Sequence, residues 1–197
     1  SLNKAARELS KYKTSLLPMT CDVRIPMAVE SLFRVVRGHT DRLDILVNNA
    51  GAAHAKFDIA QLPYAAWREV IETNLSGMFL MTQAALPLMR DGSVIVNNLS
   101  SAAKQAFAGS AGYVASKHGA LGFTNTLREE LRPRGIRVIA LLPGATDTDI
   151  WNAFWADAPR QKMMSPKTVA QAVIDAVKLP ANTSVDELVI RPSVGTL

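Results

Sequence analysis

Tyr113 and Lys117 stand four positions apart in "GYVASKHGALGF" (112–123). On a helix that spacing brings two side chains onto one face, one turn apart. An ammonium beside a phenol favours the phenolate, so Lys117 is expected to lower the Tyr113 pKa from its usual value of about 10. A tyrosine tuned in that way could exchange a proton at neutral pH. An ordinary aromatic and a solvated lysine meet at the same spacing, so the pair does not decide alone. Ser100, thirteen residues before Tyr113, closes an apolar run and offers a hydroxyl to a substrate oxygen. Asn74 interrupts the apolar helix "VIETNLSGMFL", either as a polar chain satisfied at a kink near Gly77 or as a further member of one site. "LVNNAG" and "LLPGATDT" end apolar runs with glycines that let a ligand approach the backbone.

The elements that must position these residues alternate along the chain. "SLLPMTCDV" (15–23) ends in a strand-like segment, and "MAVESLFRVVRG" (27–38) has helical periodicity. "LDILVNNAG" (43–51), "SVIVNNLSS" (93–101), "IRVIALLPGATDT" (136–148) and "ELVIRP" (187–192) read as strands. Between them, 62–89, 110–135 and 165–180 read as helices, the last with Ser165 as N-cap and Pro166 at its first position. Near-continuous apolar strands alternating with helices predict a single α/β domain: a doubly wound, Rossmann-like parallel sheet with helices on both faces. Ligands of such sheets bind beyond the carboxyl ends of the strands. Here those ends carry Asp22, Asn48–Gly51, Ser100 and Pro143–Thr148, which predicts one long site along the rim.

Composition narrows the class of protein. With 197 residues, 48% hydrophobic and 20% charged, the chain suits one soluble domain with a sizeable core. No apolar run approaches the length of a membrane span. The single cysteine, Cys21, forms no internal disulfide, which with no signal peptide predicts a cytoplasmic setting. The net charge of +5 is spread over scattered Lys and Arg without aromatic-basic motifs, so no nucleic-acid partner is expected. The densest basic group, Arg128, Arg132, Arg134 and Arg137, straddles a helix end, where cations suit the dipole.

The set N-N-A-G, mid-helix Asn74, Ser100, Y-x-x-x-K and P-G-x-x-x-T, in this order and spacing, resembles the short-chain dehydrogenase/reductase family from about Asp22 onward. The resemblance implies an NAD(P)(H)-dependent oxidoreductase, with NADP or NAD as cofactor, interconverting a carbonyl and a secondary alcohol. It assigns Tyr113 as general acid/base, Lys117 to lower its pKa and bind the nicotinamide ribose, and Ser100 to polarise the substrate carbonyl. Asn74 would hold a water in a proton relay from Lys117. Asp22 would bind the adenine side of the cofactor. Asn48, Ala50 and Gly51 would line the adenosine and stabilise the central sheet. Pro143, Gly144 and Thr148 would cradle the carboxamide. Ser101 is the fallback for Ser100. Pairing of subunits through the helices of Asn74 and Tyr113 implies a homodimer or homotetramer.

One family feature is not in this sequence. The glycine-rich pyrophosphate turn is absent, and all eleven glycines fall at or after Gly38. The chain opens without Met inside a helical pattern (Leu2, Ala5, Ala6, Leu9), so the first βαβ part is expected to lie outside the sequence given. His39, His54 and His118 share no metal spacing and are expected on the surface or in loops, and no metal is expected. Cys21 reads as a small buried hydrophobe. Residues 149–164, with Trp151, Phe154, Trp155, Met163 and Met164, read either as a helix packed on the core or, by resemblance, as a substrate lid. As a lid, Trp151, Phe154 and Trp155 imply an apolar small-molecule substrate. A 3-oxoacyl thioester is the alternative substrate, and a non-catalytic nucleotide-sensing or scaffolding subunit the alternative function.

Overall fold

A computed structural model describes residues 2–12 and 14–195. Among them, β1 (Ile45–Asn48), β2 (Val94–Asn98), β3 (Arg137–Pro143) and β4 (Glu187–Ile190) form one sheet in sequence order, every pair parallel. Asn48 pairs in register with Asn97, and Asn98 with Leu141, so the polar strand ends gather at one rim. The helices are α1 (Leu2–Leu9), α2 (Pro26–His39), α3 (Tyr64–Ile71), α4 (Gly77–Ala85), α5 (Ala111–Leu131), α6 (Ile150–Phe154) and α7 (Pro166–Val177).

Side chains alternate across the sheet, and each set finds its own helices. Leu46, Ile95 and Val138 pack against Val29 and Phe33 of α2, Ala85 of α4, and Leu127 and Leu131 of α5. Val94, Val96, Ile139 and Leu141 face the other way, against Val169 and Ala176 of α7. Helices on both faces bury β2 and β3 from both sides, which is why these strands read as unbroken apolar runs. Each buried aliphatic side chain contributes about 1.5–3 kcal/mol of transfer free energy. At β1, by contrast, Ile45 and Val47 are 46% and 50% exposed on one face.

Local signals hold at several ends. Ser165 Oγ accepts from the Thr168 N–H at 3.1 Å, and Pro166 opens α7. Gly135 takes φ +66 after α5, where a Cβ would collide with Asp91.

Two elements differ from expectation. Residues 14–22 form no strand, and Pro18 interrupts the run. The stretch 62–89 is helical from Tyr64 but not uniformly α: a π turn at Glu72–Ser76 joins α3 to α4. Gly77 donates to the Glu72 carbonyl, five residues back, and the extra residue in this turn re-aims Asn74.

Candidate functional site

The first half of α5 lies against the rim of the sheet. Lys117, 4% exposed, donates from Nζ to the Asn98 carbonyl at the end of β2 at 3.0 Å. The same ammonium sits over the Tyr113 ring, 5.6 Å from its centroid. Ser100 follows β2 and caps a short 3₁₀ turn, its Oγ accepting from the Ala102 N–H at 3.1 Å. Ser100 lies close enough to the Tyr113 phenol to bear on its pKa. Tyr113 and Lys117 meet on one helix face, as their spacing predicts, and Ser100 joins them from the end of β2. Ser101 lies within the 3₁₀ turn that Ser100 caps.

The electrostatics differ from the expected lowering of the Tyr113 pKa. Burial pushes the Tyr113 phenol up, and the neighbouring Ser100 hydroxyl pulls the other way without overcoming it. Lys117 is itself desolvated, and burial brings its pKa down to about 8. Its ammonium is spent on a carbonyl and a ring face, so it does not offset the burial of the phenol.

Asn74 is 1% exposed and joins two segments. Its Oδ1 accepts from the Ala52 N–H at 2.8 Å, and its Nδ2 donates to the Ala52 carbonyl at 2.9 Å and to Ser116 Oγ at 3.0 Å. Both side-chain N–H groups are thus taken by protein, and the amide clamps the residue after the "NNAG" loop to α5. The two asparagines of that loop and its glycine then part company. Asn48 turns inward, donating from Nδ2 to Thr82 Oγ1 at 3.0 Å and Asn97 Oδ1 at 2.8 Å, while Asn97 Nδ2 donates to Thr124 Oγ1 at 3.0 Å. Asn48 therefore ties the sheet to α4 and α5 and does not line the groove. Ala50 and Gly51 do, with Ala52, Thr20, Cys21 and Asp22, around an open groove of about 700 Å³. A methyl on Gly51 would sit 3.9 Å from Lys117 Nζ and 3.5 Å from Asn74 Oδ1, so this glycine keeps the space beside the ammonium open.

Asp22 lies at the far end of that groove. Hydrogen bonds from the Arg24 guanidinium, through Nε and Nη2, and from its backbone N–H hold the carboxyl down to about 2. Cys21 is half-buried beside it rather than fully buried, and burial raises its thiol pKa. At the other end, Pro143 closes β3, and Gly144 donates to the Ile190 carbonyl at 2.7 Å. A Cβ on Gly144 would come 3.1 Å from Pro192, so this glycine serves the neighbouring backbone. Thr148 is exposed, and its carbonyl accepts from Arg160 at 2.7 Å.

In the segment after Thr148, helix α6 has five residues, none buried, while Ala158 is buried and Met164 packs against the core. Phe154 lies on Tyr113 with ring centroids 6.0 Å apart, and Trp151 meets Phe154 edge-on at 5.6 Å. Trp151 Nε1 anchors the segment by donating to the Thr146 carbonyl at 2.8 Å.

Several contributing residues escaped sequence reasoning. Asn97, Thr82, Thr124 and Ser116 make the buried polar ties, and only the doubled asparagine at the end of β2 hinted at them. His54 is 6% exposed, not a surface histidine: it packs beside Gly112, where a Cβ would lie 3.0 Å from its Nε2. His118 is exposed, with Nδ1 at the Val114 carbonyl.

Comparisons with known proteins agree with this geometry. A Streptomyces coelicolor protein, proposed to be a ketoacyl reductase, is 34% identical over 195 residues, spanning 87% of this chain and 74% of the relative. An alcohol dehydrogenase from the archaeon Thermococcus sibiricus, solved with 5-hydroxy-NADP, superposes with a TM-score of 0.90 at 26% identity, covering 100% of this chain and 83% of that one. The closed form of a serine dehydrogenase with NADP+ gives 0.86 at 28% identity, covering 98% and 83%. The family model for short chain dehydrogenases matches residues 1–159. With the fold, the motif order and this match in agreement, the chain belongs to the short-chain dehydrogenase family.

Proposed function

We propose that this oxidoreductase interconverts a carbonyl and a secondary alcohol with an NAD(P)(H) cofactor, Tyr113 serving as general acid/base. The observation that carries the reading is the Tyr113 phenol with Ser100 beside it and the Lys117 ammonium over its ring, next to the space that Gly51 keeps open.

The residues present fit the two ends of a dinucleotide. Asp22, Ala50 and Gly51 would hold the adenosine end, and the space that Gly51 leaves beside Lys117 suits a ribose. Tyr113, Lys117, Pro143, Gly144 and Thr148 would hold the nicotinamide end. The similar structures carrying 5-hydroxy-NADP and NADP+ support a nicotinamide cofactor and leave the choice of NADP or NAD open. When bound, the cofactor supplies or accepts the hydride.

The protein's part is position and proton transfer. Ser100 Oγ accepts from the Ala102 N–H, which leaves its own hydrogen to point at a substrate oxygen. That donor stabilises the charge growing on the oxygen in reduction. Tyr113 Oη gives the proton, and takes it back in oxidation. A phenol held neutral by burial suits reduction, because it starts with its proton in place. Asn74 fixes Ala52, and with it the loop beside Lys117.

Tyr113→Phe should lower carbonyl reduction by about 10²–10⁴-fold with NADPH or NADH binding retained. Ser100→Ala should cost about 10²–10³-fold, while Ser101→Ala keeps activity. Equal turnover in Tyr113→Phe would sink the proposal. Absence of nucleotide binding in fluorescence titration would point to the scaffold reading. The ketoacyl reductase relative favours a 3-oxoacyl thioester as the second substrate class to assay.

A further inference from the structure

We infer that Lys56 is a specificity-determining residue: its ammonium recognises a carboxylate carried by the carbonyl substrate, at the end remote from the reacting carbon. The inference rests on the carbonyl chemistry proposed above and adds a substrate class to it.

Lys56 lies on the loop after "NNAG" and reaches the end of α6. Its Nζ sits 5.6 Å from the Phe154 ring centroid and 5.0 Å from that of Trp155. Phe154 is the ring that packs on Tyr113. One aromatic side chain therefore separates this cation from the phenol. Among the described residues no carboxylate lies within 4.0 Å of Lys56 Nζ, whereas Lys104, the neighbouring cation after Ser100, is paired with Glu187.

The loop presents this cation from a fixed backbone. Phe57 donates to the Gly109 carbonyl at 3.0 Å, and Gly109, with φ +77, is packed so closely that a Cβ would lie 3.2 Å from Lys56 Cβ. The opposite wall is fixed by Trp151 Nε1 on the Thr146 carbonyl. A cation resting on aromatic faces at an exposed site is held weakly. A charge-assisted bond to a carboxylate is the stronger partner. An arriving carboxylate thus draws the ammonium from the rings, and the apolar wall it leaves is free to cover the substrate body. The order Tyr113, Phe154, Lys56 suits a molecule with a carbonyl at Tyr113, an apolar middle on Phe154, and an anionic end at Lys56.

Titration calorimetry with two aryl ketones, 4-benzoylbutanoate and its amide 4-benzoylbutanamide, tests this in the presence of NADP+, a pairing that supports no turnover. The carboxylate should bind at least about tenfold more tightly than the amide, the equivalent of about 1.4 kcal/mol. Lys56→Met should abolish that preference, and Lys56→Arg should keep it. Tyr113→Phe should leave it unchanged. Equal binding of the two probes, binding of neither, or a preference surviving in Lys56→Met with unaltered circular dichroism overturns the inference. A protein that shows the preference but reduces no ketone would overturn the reaction proposed above and leave the role of Lys56 standing.

Discussion

Lys117 is the residue whose environment has the largest consequence. Its pKa falls from 10.5 to about 8 because its ammonium is buried. The fold therefore disfavours the charged form. Below about pH 8 both the native and the unfolded chain hold the proton, and the native state carries the full cost, roughly 3 kcal/mol. As pH rises from 8 to 10.5 the native state loses the proton that the unfolded state keeps, so stability rises. Tyr113 works in the opposite sense above about pH 10, where burial keeps its proton on in the native state and stability falls. Urea unfolding at pH 7 and pH 9.5 should show the native protein gaining about 2 kcal/mol relative to Lys117→Met. A constant difference between the two proteins would show that Lys117 is not desolvated.

At the scale of elements, the helix from Tyr64 to Ala85 is shaped by its π turn and by Gly77 behind it. A Cβ at Gly77 would lie 2.6 Å from Val23 Cγ2. The close approach seats the turn after Asp22 on the same helical stretch that delivers Asn74 to the loop at Ala52. In an open helix Gly→Ala stabilises by about 1 kcal/mol. Gly77→Ala should instead destabilise by about 1–3 kcal/mol, because the overpacked side chain meets Val23. Adding Val23→Ala should recover most of that loss in a double-mutant cycle read by urea unfolding. A stabilised Gly77→Ala would mean that the two segments are not in contact.

The whole molecule is held by two kinds of tie between sheet and helices. Apolar layers cover both faces of β2 and β3, and a line of buried amides and hydroxyls runs through the middle: Thr82, Asn48, Asn97, Thr124. Arg128 adds a third contact, donating from α5 to the Val138 carbonyl at 3.0 Å and the Asp186 carbonyl at 2.6 Å. The basic cluster read as complementing a helix end thus also joins β3 and the segment before β4. Asn97→Ala should remove about 2–4 kcal/mol of global stability, since it strands Asn48 and Thr124 in the interior. The midpoint in urea should fall with an unchanged slope. No helix among the described residues is long and apolar enough to cross a membrane.

Sequence by itself determined the parallel α/β architecture, the rim on which the strand ends gather, and the placement of Tyr113 and Lys117 on one helix face. Apolar periodicity and short-range spacing carry that information, because neighbours on one helix or one strand end are neighbours in space whatever surrounds them. Tertiary structure decided what depends on distant segments. It turned Asn48 into the sheet, took both N–H groups of Asn74 for the protein, buried His54, and left 14–22 without a strand. It also reversed the expected shift of Tyr113, since the pKa of a buried group is set by all that excludes water from it and not only by the lysine one turn away. Lys56 came to rest on Phe154 and Trp155, about a hundred residues along the chain, through a meeting of two loops that no local pattern encodes.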